Sequence, residues 1–367
     1  MKIAFIKQKY VPCGGGEAYL AGIISACSSL GHDVHLISTE WESDNKDSSF
    51  IFHLVRMNKR SRRSRVQSFA KSVECCVEQH DFECVFSLER TISQQVWRGG
   101  DCVYGMWLRR RALYEPWYKN LLNRLSPGQK SVVDMEERCV RSTPHLIANS
   151  NLIKTDLLEM YPDLKSEIHV IHNGFDPGRF SLEERDENRL RVREEQDLHG
   201  SVICFVASGW RRKGLLELLK AMQRVPDAVL LVAGRDRPDA WKKVANSFGV
   251  GNRVHFVGII KDVGALYHAA DVTVLPSWYD SFGFIGLESM ACGTPYVATR
   301  WAGSHEIIEE GVNGYVVSRP DSIDELAAAL RKALILPAGS PVANTVAHLT
   351  VEENMRKTIA VIERVLV

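Results

Sequence analysis

Short apolar runs alternate with amphipathic stretches along almost the whole chain, and the alternation starts twice. "KIAFIK" leads through a glycine turn into the helical "EAYLAGIISACSSLGH" and then the apolar "DVHLIS". Further apolar runs follow at "FECVFSL", "PHLIANS" and "SEIHVIHNG". Past "NGFDPGRF" the rhythm restarts: "SVICFVASG", helix "LLELLKAMQRV", "AVLLVAG", helix "AWKKVANSF", "RVHFVG", helix "DVGALYHAA", "DVTVLP", helix "IGLESMACG" and "PYVAT". A helix over "HEIIEEG" and a strand over "NGYVV" complete it. Strands this short and this apolar are buried on both faces, which calls for parallel sheets covered by helices. The pattern predicts an α/β protein of two doubly wound domains meeting near residues 172–180. We read residues 1–172 as the first and 173–345 as the second. The tail 346–367 carries "TVEENMRKTIAVIERVL", apolar at helical period with no strand after it, and is expected to pack back toward the first domain.

A length of 367 residues agrees with two domains, since single cores stop growing near this size. The net charge of +1 argues against a dedicated nucleic-acid binder, which is usually basic overall. Nine scattered cysteines form no C-x-x-C pair, so neither a zinc motif nor a disulfide framework is indicated. The N-terminal apolar run is too short for a signal peptide, and no apolar run reaches about 18 residues. A soluble, cytoplasmic protein is the expectation.

In open parallel sheets, ligands sit at the carboxyl ends of strands. "YDSFGFIGLE" follows the strand "DVTVLP" and runs into a helix, with Asp280 and Glu288 at its ends. Gly283 permits close backbone approach, and the helix start favours an anion. Two carboxylates flanking such a turn fit a ligand with phosphate in the middle and hydroxyl-bearing rings at both ends. They equally fit a surface acid and a helix-facing acid, and spacing does not choose. "VASGWRRKGL" places Arg211, Arg212 and Lys213 at another strand end of the same sheet. Such a run is commonly solvated, yet a diphosphate at that edge would need these counter-charges.

Taken in order, "SGWRRKG", "LLVAG", "VHFVG", "LYHAADVTVLPS", "DSFGFIGLESMACGTPYVAT" and "GVNGYVV" resemble retaining glycosyltransferase family 4 over nearly all of residues 170–335. The N-terminal "GGGEAYLAGIISACSSLGHDV" fits the same pattern. The resemblance implies the GT-B fold, with two Rossmann-like domains facing across a cleft, a nucleotide-sugar donor and no essential metal or other cofactor. It assigns Glu288 to the ribose hydroxyls, Arg212 and Lys213 to the diphosphate, and the backbone of Ser281, Phe282, Gly283, Phe284 and Ile285 to the phosphates. Ser208 and Gly209 belong to the same donor loop. Gly258 and Ile259 fall where main chain reads the base, and Gly15 and Gly16 where the other domain approaches the diphosphate. Asp280 stands where the family usually has Glu, one methylene shorter. Glu306 is similar to a family acid near the donor. In "VWRGGDCVYGMWLRRR" the candidate catalytic residue is Asp101, with Tyr104 where relatives often have His; an Asp capping the next helix is the competing reading.

Two basic stretches mark the N-terminal half. "RMNKRSRRSR" holds six cations in ten residues, and "WLRRRALYEPWYKNLLNRL" interleaves cations with Trp107, Trp117 and several leucines. Solvated loops and packed helices account for such segments, as does a surface resting on anionic lipid. The finer pattern is similar to bacterial lipopolysaccharide-core glucosyltransferases, implying a donor such as UDP-glucose, a glycan or glycolipid acceptor and peripheral attachment to the cytoplasmic membrane. The alternatives are a GT-B sugar-nucleotide epimerase and an inactive glycosyltransferase-like binding protein.

Overall fold

The structure, a computed structural model, describes residues 1–9, 15–40 and 50–366. Two compact units divide it: Met1–His172 with Val351–Val367, and Asn173–Thr350. The chain therefore returns to the first unit at Val351, five residues beyond the boundary read at 345/346.

The first unit runs β1 (Lys2–Ile6), α1 (Gly15–Ser29), β2 (Asp33–Ser38), β3 (Ile51–Leu54), α2 (Arg62–Glu78), β4 (Cys84–Ser87) and β5 (Val96–Gly99). It continues through α3 (Tyr104–Arg111), α4 (Trp117–Leu125), α5 (Pro127–Ser142), β6 (His145–Ala148), α6 (Asn151–Met160) and β7 (Glu167–Val170). The seven strands pair in the order β3-β2-β1-β4-β5-β6-β7, all parallel. Side chains alternate across β1. Ile3 and Phe5 pack with Leu20, Ile23 and Ile24 of α1, while Ala4 and Ile6 meet Phe69 and Val73 of α2. Each strand thus feeds two cores, the reason its sequence is apolar without a break. Serine caps set the helix starts: Ser61 on α2, Ser126 followed by Pro127 on α5, and Ser150 on α6.

The second unit contains α7 (Arg185–Glu195), β8 (Ser201–Val206), α8 (Leu215–Met222), β9 (Ala228–Ala233), α9 (Pro238–Ser247), β10 (Val254–Gly258) and α10 (Val263–Ala269). Then follow β11 (Val272–Leu275), α11 (Phe284–Ala291), β12 (Tyr296–Thr299), β13 (Gly314–Val317), α12 (Ile323–Ala333) and α13 (Ser340–Val346). Its sheet is also parallel, ordered β10-β9-β8-β11-β12-β13. Val202 and Cys204 of β8 pack with α7 and α10, and Ile203 and Phe205 face the larger core with α8 and α11. The helix expected over "HEIIEEG" is instead a short 3₁₀ turn, Gly303–Ile307. Backbone bonds from Ser304 N to Phe282 O and from Gly303 N to Asp280 O tie the start of this segment to the loop after β11. The Asn313 side chain takes the Glu309 N–H at 2.8 Å and the Ile307 carbonyl at 3.1 Å, groups a continuing helix would use.

The last helix, α14 (Val351–Glu363), belongs to the first unit. Met355, Val361 and Ile362 join the core beside α1, and Tyr19 Oη lies 3.0 Å from Thr358 Oγ1 in a buried contact.

Candidate active site

In the second unit the strand order reverses between β8 and β11, which are hydrogen-bonded neighbours. Their carboxyl ends emit the loops 207–214 and 276–283 side by side, and a doubly wound sheet binds ligands at such a reversal. Arg212 O accepts from Trp278 N at 2.9 Å, and Arg212 Nη1 donates to Tyr279 O at 2.8 Å. Two glycines make this fit possible. At Gly214, with φ +86°, a Cβ would lie 1.9 Å from Pro276 O. At Gly283, with φ +85°, it would lie 2.7 Å from Leu275 Cδ2 and 3.3 Å from Asp280 Oδ2.

Lys213 and Asp280 meet directly, Nζ donating to Oδ2, with both side chains largely buried. Burial works to raise the Asp280 pKa. Lys213, then Arg212, then the Lys213 hydrogen bond and the Phe282 N–H outweigh it and hold the carboxyl below its ordinary value. Arg211 Nη1 donates to both carboxylate oxygens of the buried Glu217, at 2.9 and 3.1 Å, and its guanidinium lies 6.0 Å from the centroid of the Trp278 ring. Arg212 and Lys213 hydrogen-bond to the loop after β11.

Gly283 is followed by α11, where Gly286 N bonds Gly283 O at 3.2 Å and the start of the helix concentrates the positive end of its dipole. Phe282 is fully buried and Ile285 nearly so, and the Phe282 backbone is engaged, its carbonyl by Ser304 N and its N–H by Asp280. Ser281 is buried beside them. Glu288 lies on the second turn of α11, where Tyr267 Oη donates to Oε2 at 2.9 Å. Burial raises its pKa, while the Tyr267 hydrogen bond and Arg179 pull it back. Its Oε1 has no hydrogen-bond partner among the described residues. At Gly209 the backbone N–H goes to Asp236 Oδ2 at 2.7 Å and Trp210 N to Asp236 Oδ1 at 3.1 Å. Asp236 therefore shapes the turn that begins with Ser208, a role no motif in the sequence signalled. Gly258 ends the edge strand β10 at φ +74°, its carbonyl accepting from Gly234 N, and Ile259 beside it is 72% exposed. Glu306 lies in the 3₁₀ turn.

In the first unit Gly15 and Gly16 open α1 behind β1, and Asp101 is exposed two residues past β5. The cap of α3 is Val103, without a side-chain bond, so Asp101 is not a helix cap. The N–H of Tyr104 is instead taken by the buried Glu136 from α5, at 2.8 and 3.0 Å. Glu136 also accepts from Arg90 Nε at 2.8 Å and Tyr161 Oη at 3.1 Å. Asp101 contributes to the field at both Arg90 and Arg98. The Arg98 guanidinium stacks 3.6 Å over the Tyr19 ring. Tyr104 is buried with its hydroxyl donated to Gln129 Oε1.

Two family descriptions match the chain: Glycosyltransferase Family 4 over residues 13–179 and Glycosyl transferases group 1 over residues 200–335. The lipopolysaccharide glucosyltransferase WaaG of Escherichia coli (strain K12) is 24% identical over 344 residues, covering 91% of this chain and 90% of that protein. An uncharacterised glycosyltransferase of Methanocaldococcus jannaschii is 31% identical over 208 residues, 54% of this chain and 53% of its own length. A crystal structure of WaaG superposes with a TM-score of 0.79 at 23% identity, covering 98% of this chain and 99% of that one. The Anabaena protein HepE, solved with UDP and glucose, gives 0.72 at 19% identity, covering 99% of each chain. Neither the epimerase nor the inactive binding protein gains support from these matches. The chain is a glycosyltransferase of the GT-B fold, a family 4 domain followed by a group 1 domain.

Proposed function

We propose that the chain is a retaining hexosyltransferase that takes glucose or a similar sugar from a UDP-type donor and places it on a glycan or glycolipid acceptor such as a lipopolysaccharide core. The observation that carries this is the Arg212–Lys213–Asp280 cluster beside the start of α11, with Glu288 on its second turn. The diphosphate takes the cations and helix start, the ribose hydroxyls take Glu288, and Asp280 faces the sugar. When the C1–oxygen bond of the donor breaks, the electron pair leaves with the diphosphate, where Arg212 and Lys213 neutralise it. The acceptor hydroxyl attacks C1 from the same face and gives its proton to the departing phosphate oxygen, so no protein nucleophile or metal is required. Asp101 positions the transferred sugar. Incubation with UDP-glucose and a core oligosaccharide, followed by NMR of the new anomeric proton, tests the reading. An α-linked product supports it, and a β-linked product or no transfer overturns it.

Glu288 makes donor affinity pH-dependent. Its carboxylate must be ionised to accept two hydroxyls, and burial raises its pKa. Affinity is therefore full above that raised value and declines as pH falls through it, starting at a higher pH than an ordinary carboxylate would allow. Glu288→Gln flattens this acid limb and weakens binding by about 1.5–3 kcal/mol at neutral pH, the range for a hydrogen bond to a charged group. Calorimetric titration with UDP-glucose between pH 5 and 8 measures both; an unchanged dissociation constant removes Glu288 from the donor site.

The acceptor reading includes an anionic lipid surface. No residue of α4 is buried: Trp117 is 77% exposed, Leu122 66% and Leu125 71%. No helix among the described residues is long and apolar enough to cross a membrane. The three arginines expected to help are already paired: Arg109 with Glu159, Arg110 with Asp156, Arg111 with Glu115. Arg62 is likewise held, donating to Gln129 Oε1 at 3.1 Å. Attachment therefore falls to the apolar face of α4 and to Arg60 and Arg63 at the start of α2, where the helix dipole disfavours cations unless an anion neutralises them. Vesicles rich in phosphatidylglycerol should pellet the protein, reversibly with salt, and neutral vesicles far less. Trp117→Ser with Leu122→Ser should lower that binding at least tenfold. Equal pelleting with both lipids leaves α4 without this role.

A further inference from the structure

Within the first unit β7 is an edge strand beside β6. Register places His145 of β6 opposite Glu167 of β7, with His169 two residues further along, so all three lie on one face. His145 Nδ1 is 3.3 Å from His169 Nε2 and 3.5 Å from Glu167 Oε2, and His169 Nε2 is 3.7 Å from that same oxygen. A tetrahedral zinc ion with nitrogen and oxygen ligands at about 2.0–2.2 Å spaces its donor atoms roughly 3.4 Å apart. The three atoms stand close to three corners of that figure. A hydrogen bond between the two imidazoles accounts for the first distance alone. It does not account for a carboxylate oxygen converging on the same point.

The surroundings favour an ion as well. Glu167 Oε1 accepts from Arg364 Nη1 at 3.1 Å, leaving Oε2 toward the rings. Such an outer partner fixes a ligating carboxylate. The imidazoles are mostly covered, at 18% and 12% exposed, while Glu167 is 54% exposed, so solvent reaches the point of convergence and can supply a fourth ligand.

We propose that His145, Glu167 and His169 bind one divalent transition-metal ion of the zinc class. Two imidazoles and one carboxylate suit zinc, cobalt or nickel better than calcium or magnesium. The site lies at the amino ends of β6 and β7, opposite the strand ends that lead to Asp101, so the ion has no part in sugar transfer. It joins the edge strand to its neighbour and, through Glu167 and Arg364, to the C-terminal segment. No motif announced it because the ligands come from two strands far apart in the chain. A second group, His53, Cys76 and His80, brings its donor atoms within 4.8 Å of one another and serves as the internal control.

The test uses the full chain, stripped with a chelator, and zinc competed against a chromophoric indicator, with thermal melts across the same zinc series. The wild type should bind one zinc per chain and melt at rising temperature with zinc. His145→Asn and His169→Asn should each weaken zinc at least tenfold and abolish the shift, while His80→Gln leaves both unchanged. Failure of the wild type to bind zinc overturns the proposal whatever the variants do. Zinc retained at full affinity by both strand variants, or lost in His80→Gln alone, also overturns it.

Discussion

Replacing Arg212 and Lys213 together by alanine is expected to lower turnover by about a thousandfold or more while weakening UDP-glucose binding far less. Removing a single preorganised donor from a site of developing negative charge costs about 10²–10³ in turnover. Here two cations serve the same leaving group, whose charge grows as the bond to C1 breaks. One complication arises from the structure. Lys213 is the partner of Asp280, and burial alone would raise the Asp280 pKa. With its pKa held down, Asp280 contributes stability above its unfolded-state pKa that is lost as pH falls through the folded value. Without the cations that sign reverses, and the buried carboxylate destabilises the second unit at neutral pH. Lys213→Ala with Asp280→Asn, measured against Asp280→Asn alone, separates the two effects: melting recovers, while turnover stays well below that of Asp280→Asn. Steady-state kinetics, calorimetric donor affinity and thermal melts of the same proteins decide it. Equal losses in affinity and turnover would make the pair a binding site with no role in the chemistry.

The division of labour within "RRK" shows where sequence reasoning ends. Strand ends, glycine turns and cations can be read in order along the chain, because each is a local signal. That Arg211 turns to Glu217 while Arg212 and Lys213 turn to the loop after β11 depends on which strands are neighbours. The adjacency of β8 and β11 is a property of topology, invisible in residue spacing. Asp236 and Tyr267 escape notice for the same reason: each acts on a residue more than twenty positions away. The helix expected over "HEIIEEG" but absent is the reverse case. Its local composition is helical, but the Asn313 side chain takes the Glu309 N–H and the Ile307 carbonyl that a helix would use. Strand β3, IFHL, lies at the sheet edge with both ends exposed, and β5, VWRG, carries an arginine and a glycine, so neither reads as an apolar run.

Glu136→Ala should be the most damaging single change in the first unit. The side chain is fully buried and holds three groups through four contacts: the Tyr104 N–H twice, the Arg90 guanidinium and the Tyr161 hydroxyl. Burial opposes the charge on Arg90, but Glu136 and then Asp101 hold its pKa above the usual value. Burial likewise pushes the Tyr161 phenol up, so it remains a donor to the carboxylate across the working pH range. Removing one partner of a buried ion pair costs about 3–5 kcal/mol, because the other is left uncompensated. For a unit of this size that lowers its melting temperature by roughly 10 °C. Glu136→Gln keeps an acceptor for Tyr104 and loses the charge, so its cost should be smaller. Because α3 starts just after Asp101, the alanine variant should also loosen the loop that carries this residue and lower turnover below the melting transition. UDP-glucose affinity should fall far less than turnover, since Arg212, Lys213 and Glu288 belong to the second unit. Calorimetric melting with donor titration measures both outcomes. A drop in donor affinity equal to the drop in turnover would contradict the assignment of Arg212, Lys213 and Glu288 as the donor-binding set.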